Sequence, residues 1–180
     1  MTTTTPPADN PIANLIADFQ GLVDQVPELL QPFIVAAAGA IPFIEGEGGA
    51  IIGVVGGLNP IVAGIAAAAG NFLAVFLVVL ITSGARGAIV NRAGRDEREA
   101  AKALKPESKG RAKFQRWLVR FGVPGASVLG PLAIPTHFTA ATLVAAGISR
   151  SRILFWQAIA IVIWTTVATA SVMIAVWLAT

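Results

Sequence analysis

The stretch IPFIEGEGGAIIGVVGG, from Ile41 to Gly57, places two glutamates and six glycines in the middle of otherwise apolar sequence. In a soluble protein it would be a surface turn, whereas in a membrane protein its carboxylates would lie between segments of hydrocarbon length. Composition favours the membrane, because 55% of the 180 residues are hydrophobic and 13% are charged, against roughly 25% charged in soluble domains. We therefore expect an integral membrane protein.

The lengths of the apolar segments predict how the first half of the chain meets the bilayer. From residue 29 to residue 81 the only charges are Glu45 and Glu47, and a later Asn-Pro pair adds a second break. A transmembrane helix needs about 20 apolar residues, so only residues 61–81 are long enough to cross alone. The two earlier pieces are shorter, and residues 29–58 are therefore predicted to form a re-entrant helical hairpin.

The alternative reading of this region is simpler. It makes residues 29–44 an ordinary short span and leaves EGEGG as an aqueous turn. It requires a span shorter than the usual length, and it leaves residues 50–81 as one overlong segment.

The basic residues are concentrated in one segment. No lysine or arginine precedes Arg86, and 11 of the 13 basic residues fall between Arg86 and Arg120. By the positive-inside rule, residues 84–116 are predicted to be a cytoplasmic loop. Nucleic-acid binding is not expected, because the segment lacks interleaved aromatic residues and also carries acidic ones.

The second half of the chain repeats the order of the first. Residues 117–148 are apolar but interrupted at Pro124-Gly125, Gly130-Pro131 and Pro135, and residues 153–179 form an uninterrupted apolar span. The expected fold is an all-α integral membrane protein with two re-entrant helical hairpins, each followed by a full transmembrane helix, in an inverted repeat. Such repeats place discontinuous helices at a transport site.

The N-terminal residues have a different character. Residues 1–9, rich in threonine and proline, are predicted to be a disordered tail. In residues 10–27 the apolar side chains recur at three- and four-residue spacing, which predicts an amphipathic helix on the membrane surface. Residues 28–180 are predicted to form a single membrane domain.

Short motifs in the first half resemble those of a known family. GEGGAIIGVVGG contributes Gly46, Glu47 and Gly53, a glycine and an acid followed by an apolar stretch with glycine, and AAAAGNFLA contributes Gly70-Asn71. These residues resemble the first hairpin and the following span of the DedA superfamily of bacterial inner-membrane proteins, and more closely its small multidrug export relatives. The family has a Gly-Asp pair where this chain has Gly70-Asn71.

Motifs in the second half resemble the same family. VRFGVPGASVLGP supplies Arg120 and Pro124-Gly125, while Ser127 stands where the family has a second arginine. AAGISRSRILFWQAIAIVIWTT resembles the family's Ala-Gly-x-Ser-Arg segment, which precedes its last span, here with Trp164. The resemblance implies a multi-pass protein of the bacterial inner membrane and proton-dependent transport of polyprenyl-phosphate lipid carriers or small drugs.

The predicted site is centred on the two glutamates. A carboxylate at membrane depth is expensive and therefore a functional candidate, and removal from water favours its protonated form. Glu47 matches the family position and is the better candidate for proton coupling, with Glu45 beside it. Gly46, Gly48 and Gly49 are expected to let both carboxylates face one cavity.

Two further residues are candidates for substrate binding or proton coupling. Arg120 stays charged and suits an anionic headgroup or a pairing with Glu47. The alternative for Arg120 is an interfacial arginine that only follows the positive-inside rule. His137 is predicted to be either a proton relay or a hydrogen-bonded packing residue. The predicted cavity-lining residues are Gly46, Gly48, Gly49, Asn71, Pro124, Gly125, Ser127 and Trp164.

With the charges located by the sequence, the resemblance implies a proton-coupled secondary transporter of a phosphate-headed lipid or a small amphipathic drug. Its expected partners are membrane lipid, protons, the substrate and a second copy of the chain. The alternative is a non-transporting membrane adaptor that binds partners or anionic lipid through its basic loop. No enzyme, metal site or cofactor is expected, because the chain has no cysteine, one histidine and no nucleotide-binding loop.

Overall fold

The computed structural model describes residues 25–92 and 121–179, together with Asp18 and Gly21. The predicted tail, most of the predicted surface helix, most of the basic loop and Arg120 therefore lie outside the described residues. Asp18, Gly21 and Gln25 are helical. The described residues form helices and turns and no strands, which confirms the all-α class.

Six helices follow one another along the described chain. They are α1 (Gln31–Gly39), α2 (Glu45–Val55), α3 (Pro60–Arg92), α4 (Phe121–Leu132, closing in the 3-10 turn Gly130–Leu132), α5 (Thr136–Ala145) and α6 (Arg150–Ala179).

Two of these helices are long and apolar enough to cross a membrane. The apolar stretches Pro60–Ala88 in α3 and Arg150–Leu178 in α6 have 29 residues each, against the roughly 20 that a span requires. Their positions agree with the two predicted spans.

Helix α3 has its large side chains on the outside and its small ones on the inside. The exposed face carries Ile61, Ile65, Leu73, Leu77 and Ile81. The buried face carries Ala63, Ala67, Gly70, Asn71, Val75 and Val79. Small residues at helix contacts and large apolar residues facing outward are typical of helices that pack inside a bilayer.

Helix α3 begins one residue earlier and ends later than the predicted span of residues 61–81. Asn59 caps its start, since its Oδ1 accepts hydrogen bonds from the backbone N–H groups of Ile61 (3.0 Å) and Val62 (3.4 Å). Proline is also favoured in the first turn of a helix. The helix then continues to Arg92, into the segment predicted as a loop, because the sequence offers no proline there to stop it.

Helices α1 and α2 form an antiparallel hairpin joined by residues 40–44. Gly49 of α2 lies against Gly39 of α1, and Gly53 lies against Val35, so the sequence runs in opposite directions on the two helices. A hairpin within residues 29–58 agrees with the predicted break at the glutamates. Its re-entry into the membrane stays a prediction.

The second interrupted region differs in detail from its prediction. Helix α4 continues through Pro124-Gly125, where an interruption was predicted, and a left-handed residue, Gly122 (φ 65°), precedes this pair. The chain leaves the helix after Leu132 and resumes at Thr136, so the main break falls at the later glycines and prolines.

Helices α2 and α5 end in the same cap. Gly57 (φ 85°) and Gly147 (φ 89°) have left-handed backbones that glycine adopts without steric cost. The next N–H in each case reaches back along the helix, from Leu58 to the carbonyl of Gly53 (2.9 Å) and from Ile148 to the carbonyl of Leu143 (3.2 Å). Each cap turns the chain directly into a long helix.

The chain divides into two compact units. The first unit comprises residues 1–70 and 165–180, and the second comprises residues 71–164. In the first unit a core of small and branched side chains joins α1, α2 and the start of α3. Its buried residues are Val35, Ala38, Ile44, Ala50, Ile52, Leu58, Ala63 and Ala67.

Candidate functional site

The first unit presents its two glutamates at a strained turn. Residues 40–44 connect α1 to α2, and Phe43 (φ 74°) in this turn and Glu45 (φ 54°), the first residue of α2, have left-handed backbones. Such conformations cost a non-glycine residue about 1–3 kcal/mol and recur where function requires a fixed geometry. The strain marks the start of α2 as a candidate site.

Both carboxylates belong to the first turn of α2. Glu45 is 6% exposed and Glu47 is half-buried, and the residue before them, Ile44, supplies no side-chain cap. The N–H groups of a first turn lack partners within the helix, and the helix dipole favours negative charge there. Two acidic side chains thus stand at the helix end where negative charge is favourable.

The glycines around the glutamates serve close packing. A Cβ added to Gly49 would lie 3.0 Å from the backbone N of Gly39 and 3.1 Å from the Cβ of Ala67. A Cβ on Gly48 would lie 2.8 Å from the side chain of Ile44. Gly46 and Gly49 are buried and Gly48 is half-buried. Gly49 therefore allows α1, α2 and α3 to touch.

In the second unit, Asn71 joins α3 to α5. Its Oδ1 accepts a hydrogen bond of 3.1 Å from the hydroxyl of Thr136, and both side chains are buried. Among the described residues, the Nδ2 of Asn71 has no hydrogen-bond partner. The residue lies near the middle of α3, where a polar side chain requires a protein partner or a ligand.

Ser127 and Trp164 belong to the same unit. The indole Nε1 of Trp164 donates a hydrogen bond of 2.7 Å to the backbone carbonyl of Val128, which ties α6 to α4. Trp164 thus faces protein. Ser127 is fully buried on α4, and its Oγ has no hydrogen-bond partner in residues 25–92 or 121–179.

The remaining predicted residues lie on α4 and α5. Pro124 and Gly125 are half-buried in α4, where Gly125 lies directly against the side chain of Phe121. His137 is buried as the second residue of α5. Glu45, Gly46, Glu47, Gly48 and Gly49 thus fall in the first unit, and Asn71, Pro124, Gly125, Ser127, His137 and Trp164 in the second.

Three buried polar residues of the second unit were not anticipated. Thr136, Thr139 and Gln157 are each at most 1% exposed. Gln157 is the only carboxamide in the apolar stretch of residues 153–179, so it could have been identified as a candidate from the sequence alone. The two threonines resemble many others in the chain, and only the packing of α5 reveals that they are buried.

The described residues contain no group of three or more histidines, cysteines or acids that could hold a metal ion. Comparison of the chain with protein-family models, with curated proteins and with solved structures finds no match.

Proposed function

We propose that this chain is a proton-coupled secondary transporter of a membrane, moving a phosphate-headed lipid or a small amphipathic drug. The observation that carries the proposal is the pair Glu45 and Glu47 at the strained start of α2. Two carboxylates, one buried and one half-buried, stand there in an all-helical chain with two span-length helices. Ionisable groups in such surroundings are costly and are retained for ion pathways.

The proton is the proposed coupling ion because of the surroundings of the glutamates. Carboxyl groups inside membrane proteins serve as proton relays in pumps and transporters. Glu47 is half-buried and therefore partly accessible, whereas Glu45 is nearly enclosed. Glu47 is the proposed proton carrier, and Glu45 modulates it as a nearby like charge.

A gradient is the proposed energy source. The sequence has no G-x-x-x-x-G-K-[ST] motif of the kind that binds a nucleoside triphosphate in P-loop proteins. In the proposed transporter the hairpin of α1 and α2 and the pair α4 and α5 re-enter the membrane. Half-helix ends of this kind bind the substrate and coupling ions of secondary transporters.

The two substrate classes make different demands on the charged residues. A cationic drug uses the glutamates as its counter-charge and exchanges with protons. A lipid phosphate uses Arg120 as its partner, because guanidinium binds phosphate through paired hydrogen bonds. Replacement of Arg120 by alanine therefore abolishes lipid transport and largely spares drug transport.

The test is uptake into proteoliposomes driven by an imposed proton gradient, with ethidium and a polyprenyl phosphate as separate substrates. Glu47→Gln keeps the shape of the side chain but cannot exchange a proton, and we expect it to abolish gradient-driven uptake of the true substrate. Glu28→Gln is the matched control, since Glu28 is exposed ahead of α1 and should retain full transport. Full, gradient-dependent transport by Glu47→Gln would refute the proposal.

A further inference from the structure

The two units bury equivalent positions at a constant spacing in the sequence. The cap glycines Gly57 and Gly147 define this spacing. The same spacing relates buried residues of α2 to those of α5 and buried residues of α3 to those of α6. The pairs are Gly46 and Thr136, Gly49 and Thr139, Ala50 and Ala140, Gly53 and Leu143, Ala63 and Ile153, Ala67 and Gln157, and Gly70 and Ala160.

Helices α1 and α4 also correspond, at a slightly shorter spacing. The buried residues of α1 are Val35, Ala38 and Gly39, and the matching residues of α4 are Val123, Ala126 and Ser127, all of them buried. The chain from Ser127 to Thr139 is two residues longer than the chain from Gly39 to Gly49, which accounts for the change in spacing. A position in one unit thus has a defined counterpart in the other.

In the first unit, three helices meet at residues that have no polar side-chain atoms. Gly39 of α1, Gly49 of α2 and Ala67 of α3 are in direct contact, with no room for a Cβ on Gly39 and little for one on Gly49. The contact is apolar and closely packed. This crossing point shows that the three-helix arrangement needs no polar side chain for its construction.

The counterparts of these residues in the second unit are all polar. They are Ser127 of α4, Thr139 of α5 and Gln157 of α6, and each is 0% exposed. Thr139 lies against the end of α4, because a Cβ on Gly130 would be 3.0 Å from its Oγ1. Within the described part of the chain, the Ser127 Oγ, the Thr139 Oγ1 and both polar atoms of the Gln157 carboxamide have no hydrogen-bond partner. Buried polar groups in this state destabilise a fold, so their presence requires an explanation.

We infer that Ser127, Thr139 and Gln157, here called the polar crossing, bind an uncharged group that both donates and accepts hydrogen bonds. That group is water or a hydroxyl or amide of the transported molecule. It reaches the polar crossing when α4, α5 and α6 separate, since all three side chains are buried in the packed structure. The inference rests on the proposed transport function and names a second binding position for it.

The chemistry of the three side chains defines the ligand. Two hydroxyls and one carboxamide provide donors and acceptors but no charge. A charged ligand would bring an uncompensated charge into an apolar interior, at a large desolvation cost. A neutral group with both donor and acceptor satisfies the unpaired atoms without that cost.

The first experiment measures thermal unfolding and transport on the same purified variants. Ser127→Ala, Thr139→Val and Gln157→Leu remove unpartnered buried polar atoms, so each should raise the unfolding midpoint, by about 2–4 °C. The same variants should slow transport by about tenfold, the change that one lost hydrogen bond makes. If the three side chains had only a structural role, their substitution would lower both the unfolding midpoint and the transport rate.

Thr136→Val is the matched control for stability. This substitution removes the hydroxyl that bonds to Asn71 and leaves a buried Oδ1 without a donor, so it should lower the midpoint. If Thr139→Val lowers the midpoint as Thr136→Val does, the inference is wrong. This readout needs no transported substrate, so it separates failure of the inference from failure of the proposed function.

The second experiment identifies the ligand by thiol labelling. The chain has no native cysteine, so Ser127→Cys and Thr139→Cys each introduce a unique thiol. Ala126→Cys and Ala140→Cys are matched controls, because these alanines are buried on the same helices. The variants are labelled in vesicles with a water-soluble methanethiosulfonate reagent. We expect Ser127→Cys and Thr139→Cys to react at least about tenfold faster than the two alanine-site controls, because only the polar positions open to water.

Protection experiments then distinguish the two sources of the ligand. Slower labelling in the presence of ethidium or a polyprenyl phosphate assigns the polar crossing to the transported molecule. Fast labelling that neither compound slows assigns it to water. Equal labelling of all four cysteines would overturn the inference.

Discussion

Glu45 and Glu47 are two residues apart but differ in backbone conformation and in burial. Glu45 has a left-handed backbone (φ 54°) and is almost fully buried, whereas Glu47 is half-buried within the helix. A left-handed backbone costs a non-glycine residue roughly 1–2 kcal/mol. The fold thus maintains Glu45 in a strained position and leaves Glu47 more accessible, which is why the proposed proton exchange is assigned to Glu47.

The difference predicts opposite responses to glycine at the two positions. Alanine and glycine substitutions both remove the carboxylate, so the difference in stability between them reports the backbone conformation at that position. At position 45 glycine relieves the left-handed strain, and Glu45→Gly should be more stable than Glu45→Ala by about 1 kcal/mol. At position 47 the order should reverse by a similar amount, because glycine is the poorer helix former. Equilibrium unfolding in detergent measures both differences, and the same order at both positions would contradict the assigned conformation of Glu45.

At the scale of the helices, glycine has two separate roles. Gly49 lies where α2 touches α1 and α3, and a Cβ there would meet Gly39 and Ala67 at about the limit of contact. Gly84, in α3, has no atom of the described residues within 4 Å of the position that its Cβ would occupy. The first glycine is needed for packing, and the second only adds flexibility to the helix.

Alanine substitution should separate these two roles. Gly49→Ala forces α2 away from its neighbours and should destabilise the first unit by about 1–3 kcal/mol, the usual cost of overpacking. Gly84→Ala adds a helix-favouring side chain in open space and should stabilise α3 by about 0.5–1 kcal/mol. Thermal unfolding of the two variants beside the parent chain provides the measurement. A stabilising Gly49→Ala would refute the close contact.

The helices could be predicted from the sequence to the extent that their signals are local. Asn59-Pro60 and the glycines at positions 57 and 147 specify the starts of the long helices and the ends of the short ones, and the charged stretch EGEGG locates the first break. The extension of α3 to Arg92 was missed because the positive-inside rule locates a loop without describing its backbone. The buried Gln157 was missed because burial depends on which face of α6 meets its neighbours, and that face is decided by tertiary packing.

At the scale of the whole chain, charge and apolar surface are segregated. All 13 basic residues lie at or after Arg86, and the exposed faces of α3 and α6 carry large apolar side chains such as Ile81 and Phe155. In the second unit Arg86 lies over the cap of α5, with a guanidinium nitrogen 3.0 Å from where a Cβ on Gly147 would be. A cation near a helix C-terminus is favourable, so Arg86 suits this position at the end of α5.

This segregation predicts one orientation in the membrane, with residues 86–116 in the cytoplasm and both chain ends outside. Because the chain has no cysteine, Thr5→Cys and Ser108→Cys each provide a single reporter. An impermeant thiol reagent applied to intact cells should label Thr5→Cys and spare Ser108→Cys, and both should react after the cells are opened, which controls for reactivity. If only Ser108→Cys is labelled in intact cells, the topology is the inverse of the predicted one. It would then place the basic segment outside the cell, on the side opposite to the one that the positive-inside rule predicts.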